Sequence, residues 1–201
     1  MKVKWPLVRR TVLELTRPVL IALGRLHMPP HYRTIEAEAV NRLMMDIKPG
    51  DVLLSRRNRE TTNFLIPGHW KHAAMYIGEG RVIEAVGRGV VESSLLEFCT
   101  TKDSVVCLRS TFCSTADAEL AVVYAKKLRG MPYDYLVEHD QSMTVNLAFY
   151  CSEVIWWSYD RVYHASGEKS PFEPRVTLGV PTITPQDFRN AKNKWSEVLL
   201  I

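Results

Sequence analysis

Apolar and polar positions change period several times along the chain, and each change marks an element. Residues 5–26, WPLVRRTVLELTRPVLIALGRL, mix apolar with basic positions and predict a basic amphipathic helix, ended by Met28-Pro29-Pro30. A second helix is predicted over Thr34 to Ile47, with Thr34 as N-cap and Glu36 and Glu38 in its first turns. Lys48-Pro49-Gly50-Asp51 reads as a turn into a buried strand at Val52-Leu53-Leu54. Arg56 to Glu60 reads as a charged loop, and Thr61 to Ile66 as a short helical piece. Strands follow at His72 to Ile77, Arg81 to Val86, Val90-Val91 and Ser104 to Leu108, with turns at Gly78–Gly80 and Gly87–Gly89. Thr115 to Arg129 predicts a helix stopped by Gly130. Tyr150 to Tyr163 predicts a strongly apolar helix carrying Trp156 and Trp157. The C-terminal part holds a short helix at Pro185 to Ala191 and a last strand at Lys194 to Leu200. Helices at both ends of an antiparallel strand run predict an α+β domain over residues 34–201, with 1–33 as an appendage.

Charge changes this picture at one place. The net charge is +4, yet residues 1–33 hold seven basic residues against Glu14 alone, so the rest of the chain is slightly acidic. A nucleic-acid enzyme spreads basic residues with interleaved aromatics around its site, and that pattern is missing from the body of the chain. The longest uncharged stretch near the N-terminus, Pro18 to Gly24, is far shorter than the about 20 residues that span a bilayer. Glu14 and Arg17 interrupt any signal-like apolar run. Two readings of residues 1–33 stay open: a helix lying on an anionic membrane surface, or one packed on the domain with its basic face in water. The expected location is cytoplasmic, peripheral to the membrane on the first reading. The cysteines Cys99, Cys107, Cys113 and Cys151 form no C-x-x-C pair. A reducing compartment is the simpler reading, although Cys107 and Cys113 could pair in an oxidising one.

Candidate chemistry centres on Cys151. It stands at the predicted start of the apolar helix, where unpaired backbone N–H groups and the helix dipole favour a thiolate. By itself it reads rather as a buried structural thiol, the commonest state of a cysteine. A nucleophile needs a base, and His72 heads a predicted strand, a rigid place for an imidazole. His69 reads as a loop residue, and His69 with His72 lacks nearby acidic or thiolate partners for a metal. Glu84, on the next strand, is the candidate to orient the base. With a turn at Gly78–Gly80, Ile77 faces Arg81 and Ala74 faces Glu84, which puts His72 and Glu84 on one side as diagonal neighbours. Glu153 in the first turn reads as a helix-terminus stabiliser.

The strings KPGDVLLSRR, GHWKHAAMYIGEGRVIEA with a later GVV, GMPYDY and FYCSEV resemble, in that order, the permuted NlpC-like, papain-like cysteine hydrolases, and among them the YiiX-like group. The resemblance covers about residues 47–160 and has the histidine strand before the cysteine helix. It implies a sheet, half-barrel in shape, packed against the cysteine helix, with His72 as base, Glu84 as orienting residue and Cys151 as nucleophile. It places Tyr133 near the cleft, lining the substrate or helping the oxyanion; a buried aromatic with a satisfied hydroxyl is the alternative. Lys71 departs from the family, where a small or hydroxylic residue is usual. The implied reaction is attack on an amide or ester carbonyl through a thioester, with no cofactor or metal, on a small peptide, a cell-wall-type peptide or an acyl lipid. The rival reading is an inactive, membrane-associated binding module of the same fold.

Overall fold

The computed structural model describes residues 35–58, 66–135, 148–168, 170, 173–177 and 180–201. Its elements are α1 (Ala37–Asp46), β1 (Val52–Arg56), β2 (His72–Gly78), β3 (Arg81–Val86), β4 (Gly89–Ser94), α2 (Leu95–Thr100), β5 (Ser104–Ser110), α3 (Thr115–Lys127), α4 (Cys151–Ser166), β6 (Arg175–Thr177), β7 (Val180–Thr182), α5 (Pro185–Asn190) and β8 (Trp195–Leu200). An open antiparallel sheet runs in the order β4-β3-β2-β1-β5-β8, and β6 pairs with β7 separately. The fold is α+β.

Both faces of the sheet are covered. Val52, Leu54, Met75, Ile83, Val106 and Leu108 pack with Ala121, Val122, Val154 and Ile155 of α3 and α4. Leu53, Ala74, Tyr76, Val82 and Val105 pack with Val40 and Leu43 of α1 and Leu95 and Phe98 of α2. Burial on two faces explains why VLL, AAMYI and VVCL read as continuous apolar runs rather than as alternation.

Several expectations change. The second helix begins at Ala37 with Glu36 as its N-cap, and that cap makes no side-chain hydrogen bond. Thr34, residues 1–33 and positions 61–65 lie outside the described residues. The β2–β3 register does set Ala74 opposite Glu84, but it shifts after Tyr76, so Gly78 rather than Ile77 faces Arg81. The bulge falls at the turn, and the alternation back to His72 is untouched. α2 and the β6–β7 pair were not foreseen; Leu95, Phe98 and Cys99 give α2 one buried stripe at i, i+3, i+4. The four cysteines are free thiols, so Cys107 and Cys113 are not bridged. Trp156 is buried in the core, and Trp157 packs half-buried at its edge.

The turn before β1 is braced from β5, and one hydrogen bond ties the cysteine helix to that turn. Asp51, buried at the turn before β1, accepts the Lys48 N–H at 2.8 Å and two bonds from the Arg109 guanidinium at 2.9 and 2.6 Å. The Tyr159 hydroxyl of α4 donates to the Gly50 carbonyl in the same turn at 2.8 Å. On the far edge, the Val90 N–H donates to the Met131 carbonyl at 2.8 Å, and Gly130 returns a bond to Val90. That approach is possible because Gly89 has φ +107° and no Cβ; a Cβ there would lie 2.5 Å from the Met131 oxygen. Gly89→Ala is expected to destabilise the fold by about 2–4 kcal/mol, from positive-φ strain and overpacking together. Urea unfolding of the two proteins measures it; an unchanged midpoint would show that the 130–135 segment is not held there.

Candidate active site

The start of α4 is pinned by hydrogen bonds. Tyr150 is its N-cap in extended geometry, and its backbone N–H reaches the carboxylate of Glu153, the third helical residue, at 3.5 Å. Glu153 thus stabilises the helix terminus, in the sense of a capping box. The Tyr150 hydroxyl accepts the Ile183 N–H at 3.1 Å, and Ser152 donates to the Ile183 carbonyl at 2.8 Å. Phe149 bonds to both sides of Tyr133: its N–H donates to Pro132, and its carbonyl accepts from Asp134. Cys151 is therefore the first residue of the helix and 4 % exposed, with Tyr133 beside it.

His72 is the first residue of β2. Its alternation places it with Ala74 and Tyr76 on the α1–α2 face, whereas Cys151 opens a helix on the other face. They meet because the strand ends there. β2–β3 pairing starts at Ala74–Glu84, which leaves the Ala73 N–H to donate to the Cys151 sulfur. The imidazole of His72 turns across the strand end and hydrogen-bonds both Cys151 and Glu84. Its Nε2 lies 2.7 Å from Oε2 of Glu84, so Nδ1 is the nitrogen left for the thiol. The two side chains are 20 % and 9 % exposed. The Phe98 ring of α2 lies 6.0 Å from the imidazole, centroid to centroid.

Each group's ionisation follows from these partners. Burial works against the charge of all three, and the partners outweigh it. For His72, hydrogen bonds to Cys151 and Glu84 and their negative charge raise the pKa to about 9. For Glu84, the hydrogen bond and charge of His72, a hydrogen bond from Ser93 and the charge of Lys102 lower it to about 2. For Cys151, the His72 hydrogen bond and charge, the Ala73 N–H and Ser152 lower the thiol below its ordinary value. For Cys99 burial outweighs the charge of Lys102 and pushes the thiol up to about 12. The arrangement favours a thiolate–imidazolium pair backed by a carboxylate. Burial, with the negative charge of Cys151, raises Tyr133 well above its usual range, so it stays a neutral hydroxyl.

Of the residues singled out from the sequence, Cys151, His72, Glu84 and Tyr133 come together. His69 is held elsewhere, its N–H donating to Gln186 at 2.8 Å and its ring edge-on to Trp70. Lys71 reaches back to the Ile66 carbonyl, a clamp on its own loop. Ser93, Lys102, Phe98 and the Ala73 N–H were missed. Ser93 was within reach, because it faces Val82, two residues from Glu84, in a register that the Gly87–Gly89 turn sets.

A sequence profile described as permuted papain-like amidase enzyme, YaeF/YiiX, C92 family, matches residues 46–199. The chain belongs to this family. No protein of curated function matches it in sequence. Among solved structures, the crystal structure of the metalloprotein YiiX from Escherichia coli O157:H7 is similar at 19 % identity, with a TM-score of 0.61 over 77 % of this chain and 97 % of that one. At that identity the likeness establishes the fold. The family supports hydrolase chemistry of the cysteine type. YiiX is described as a metalloprotein. Among the described residues no three His, Cys, Asp or Glu side chains gather as metal ligands. Among the described residues, no helix is long and apolar enough to cross a membrane.

Proposed function

We propose that this amidase-family chain is a thiol hydrolase in which Cys151 is the nucleophile, His72 the base and acid, and Glu84 the group that orients His72. The observation that carries the reading is the continuous hydrogen-bonded chain Glu84–His72–Cys151 at the first residue of α4. The Cys151 thiolate attacks the carbonyl carbon of an amide or ester; a C–S bond forms and the carbonyl electrons move to oxygen. The Cys151 backbone N–H at the helix start and the Tyr133 hydroxyl are the donors for that oxyanion. Collapse expels the amine or alcohol, which leaves with the proton from the His72 imidazolium. Neutral His72 then takes a proton from water, the hydroxide attacks the thioester, and the acid and the free thiol pair are restored. The substrate is a small peptide or an acyl lipid. Residues 1–33, with their excess of basic residues, supply attraction to an anionic surface on which such a lipid is met.

The thioester is the test. The full chain is mixed with p-nitrophenyl butyrate, quenched in acid and digested. The expected result is a burst of nitrophenol, with a butyryl mass increment on the peptide containing Cys151 that hydroxylamine removes. Steady nitrophenol release with no adduct at Cys151, even at the earliest quench, contradicts the covalent mechanism.

A further inference from the structure

On the outer side of α3 and α4, away from Cys151, an open groove of about 400 Å³ is lined by Tyr124, Lys127, Trp157, Arg161 and the 164–165 turn of α4. Its two aromatic rings meet edge to face at 6.3 Å. Each carries a cation over its face: Lys127 Nζ lies 4.8 Å from the Tyr124 centroid, and the Arg161 guanidinium 4.9 Å from that of Trp157. Leu120 and Val123 continue the surface along α3. They are 39 % and 49 % exposed and share a helix face with Tyr124 and Lys127, by the i, i+3, i+4, i+7 spacing. Asp160 beside the groove is buried and lies 3.5 Å from His164; Glu119 stands at the margin, one turn before Val123.

Exposed aliphatic side chains, two amphipathic rings and two cations on one face meet three demands of a lipid interface together. The aliphatics enter the acyl boundary, the rings sit at head-group level, and the cations meet phosphate. We infer that this face is a docking surface for an anionic phospholipid bilayer, with the Lys127–Arg161 groove taking a lipid phosphate. The charge complementarity argues for the bilayer over a neutral protein partner, and the exposed Leu120 and Val123 argue for it over a nucleic acid, whose backbone offers aliphatic side chains nothing. The inference does not rest on the hydrolase reading, since none of these residues touches the Cys151 site.

The test is co-sedimentation of the full chain with vesicles of phosphatidylcholine alone and with a phosphatidylserine fraction. Wild type is expected on the mixed vesicles and not on the neutral ones. Lys127→Gln with Arg161→Gln is expected to bind roughly 30-fold more weakly, about five- to sixfold for each basic side chain lost, with little change in Cys151 alkylation rate. Because Arg161 is half-buried, Leu120→Gln with Val123→Gln, both exposed, is the second variant, and it too is expected to bind more weakly. Wild-type binding that both variants retain would leave residues 1–33 as the sole attachment and overturn the proposal. So would equal binding to neutral vesicles, or tighter binding to duplex DNA than to the mixed vesicles.

Discussion

His72→Ala is expected to lower turnover of p-nitrophenyl butyrate by about 10³–10⁴, and Cys151→Ala to bring it to the uncatalysed background. His72 does two jobs in one place. In the proposed mechanism its positive charge and hydrogen bond hold the Cys151 thiolate in a buried site that otherwise disfavours charge, and it protonates the leaving group. Without it, burial raises the thiol, as it raises Cys99, and the nucleophile is lost at neutral pH. The two variants together should be no worse than Cys151→Ala alone, because both remove the same step. Steady-state rates on wild type and the three variants, with urea midpoints to show that each is folded, make the comparison. A His72→Ala protein within tenfold of wild type would move the base elsewhere.

Glu84→Gln should cost about 10²-fold in turnover, and it should also move the upper limb of the pH profile. Glu84 accepts from Nε2–H and so fixes the tautomer that presents Nδ1 to the sulfur. It also supplies part of the negative charge that raises His72 to about 9. Glutamine keeps the volume, removes the charge and can turn an N–H₂ toward the ring. The limb at which activity falls on raising pH should therefore begin below 9 in the variant. A merely structural role for Glu84 would lower the rate and leave that limb in place, so the pH profile separates the two accounts. The sign on stability is opposite. Glu84 is held at about 2, below its ordinary 4.5, so its contribution is present above 4.5 and is lost as the pH falls toward 2.

Much of the site was legible because it depends on local rules. Strand alternation put His72 and Glu84 on one side, and a bulge confined to the turn after Tyr76 did not disturb it. The start of the cysteine helix was legible to within a residue, since a polar C-S-E opening runs into an apolar stretch. What was hidden is long-range. Nothing local tells that β1 lies between β2 and β5, or that β8 closes the far edge. Nor does it tell that His72 and Cys151 come from opposite faces of the sheet and meet only because β2 ends there. α2 escaped because its six residues follow β4 with no Gly or Pro between, and Ser94 caps it without a side-chain bond. The tryptophans could not be separated by sequence: neighbours on one helix, Trp156 turns into the core and Trp157 to the groove.

The central claim is that Cys151 is a thiolate paired with His72, and the rate of alkylation by iodoacetamide against pH reads it directly. The adduct is located by mass spectrometry in wild type and in His72→Ala. In wild type, Cys151 should label far faster than Cys99, Cys107 and Cys113 at about pH 6–7, and its rate should stay nearly level until His72 gives up its proton near 9. In His72→Ala the plateau should vanish and labelling should rise only in alkali. Labelling of wild-type Cys151 no faster than Cys113 at neutral pH, climbing about tenfold per pH unit toward the ordinary thiol range, would contradict the pair and with it the assignment of the nucleophile.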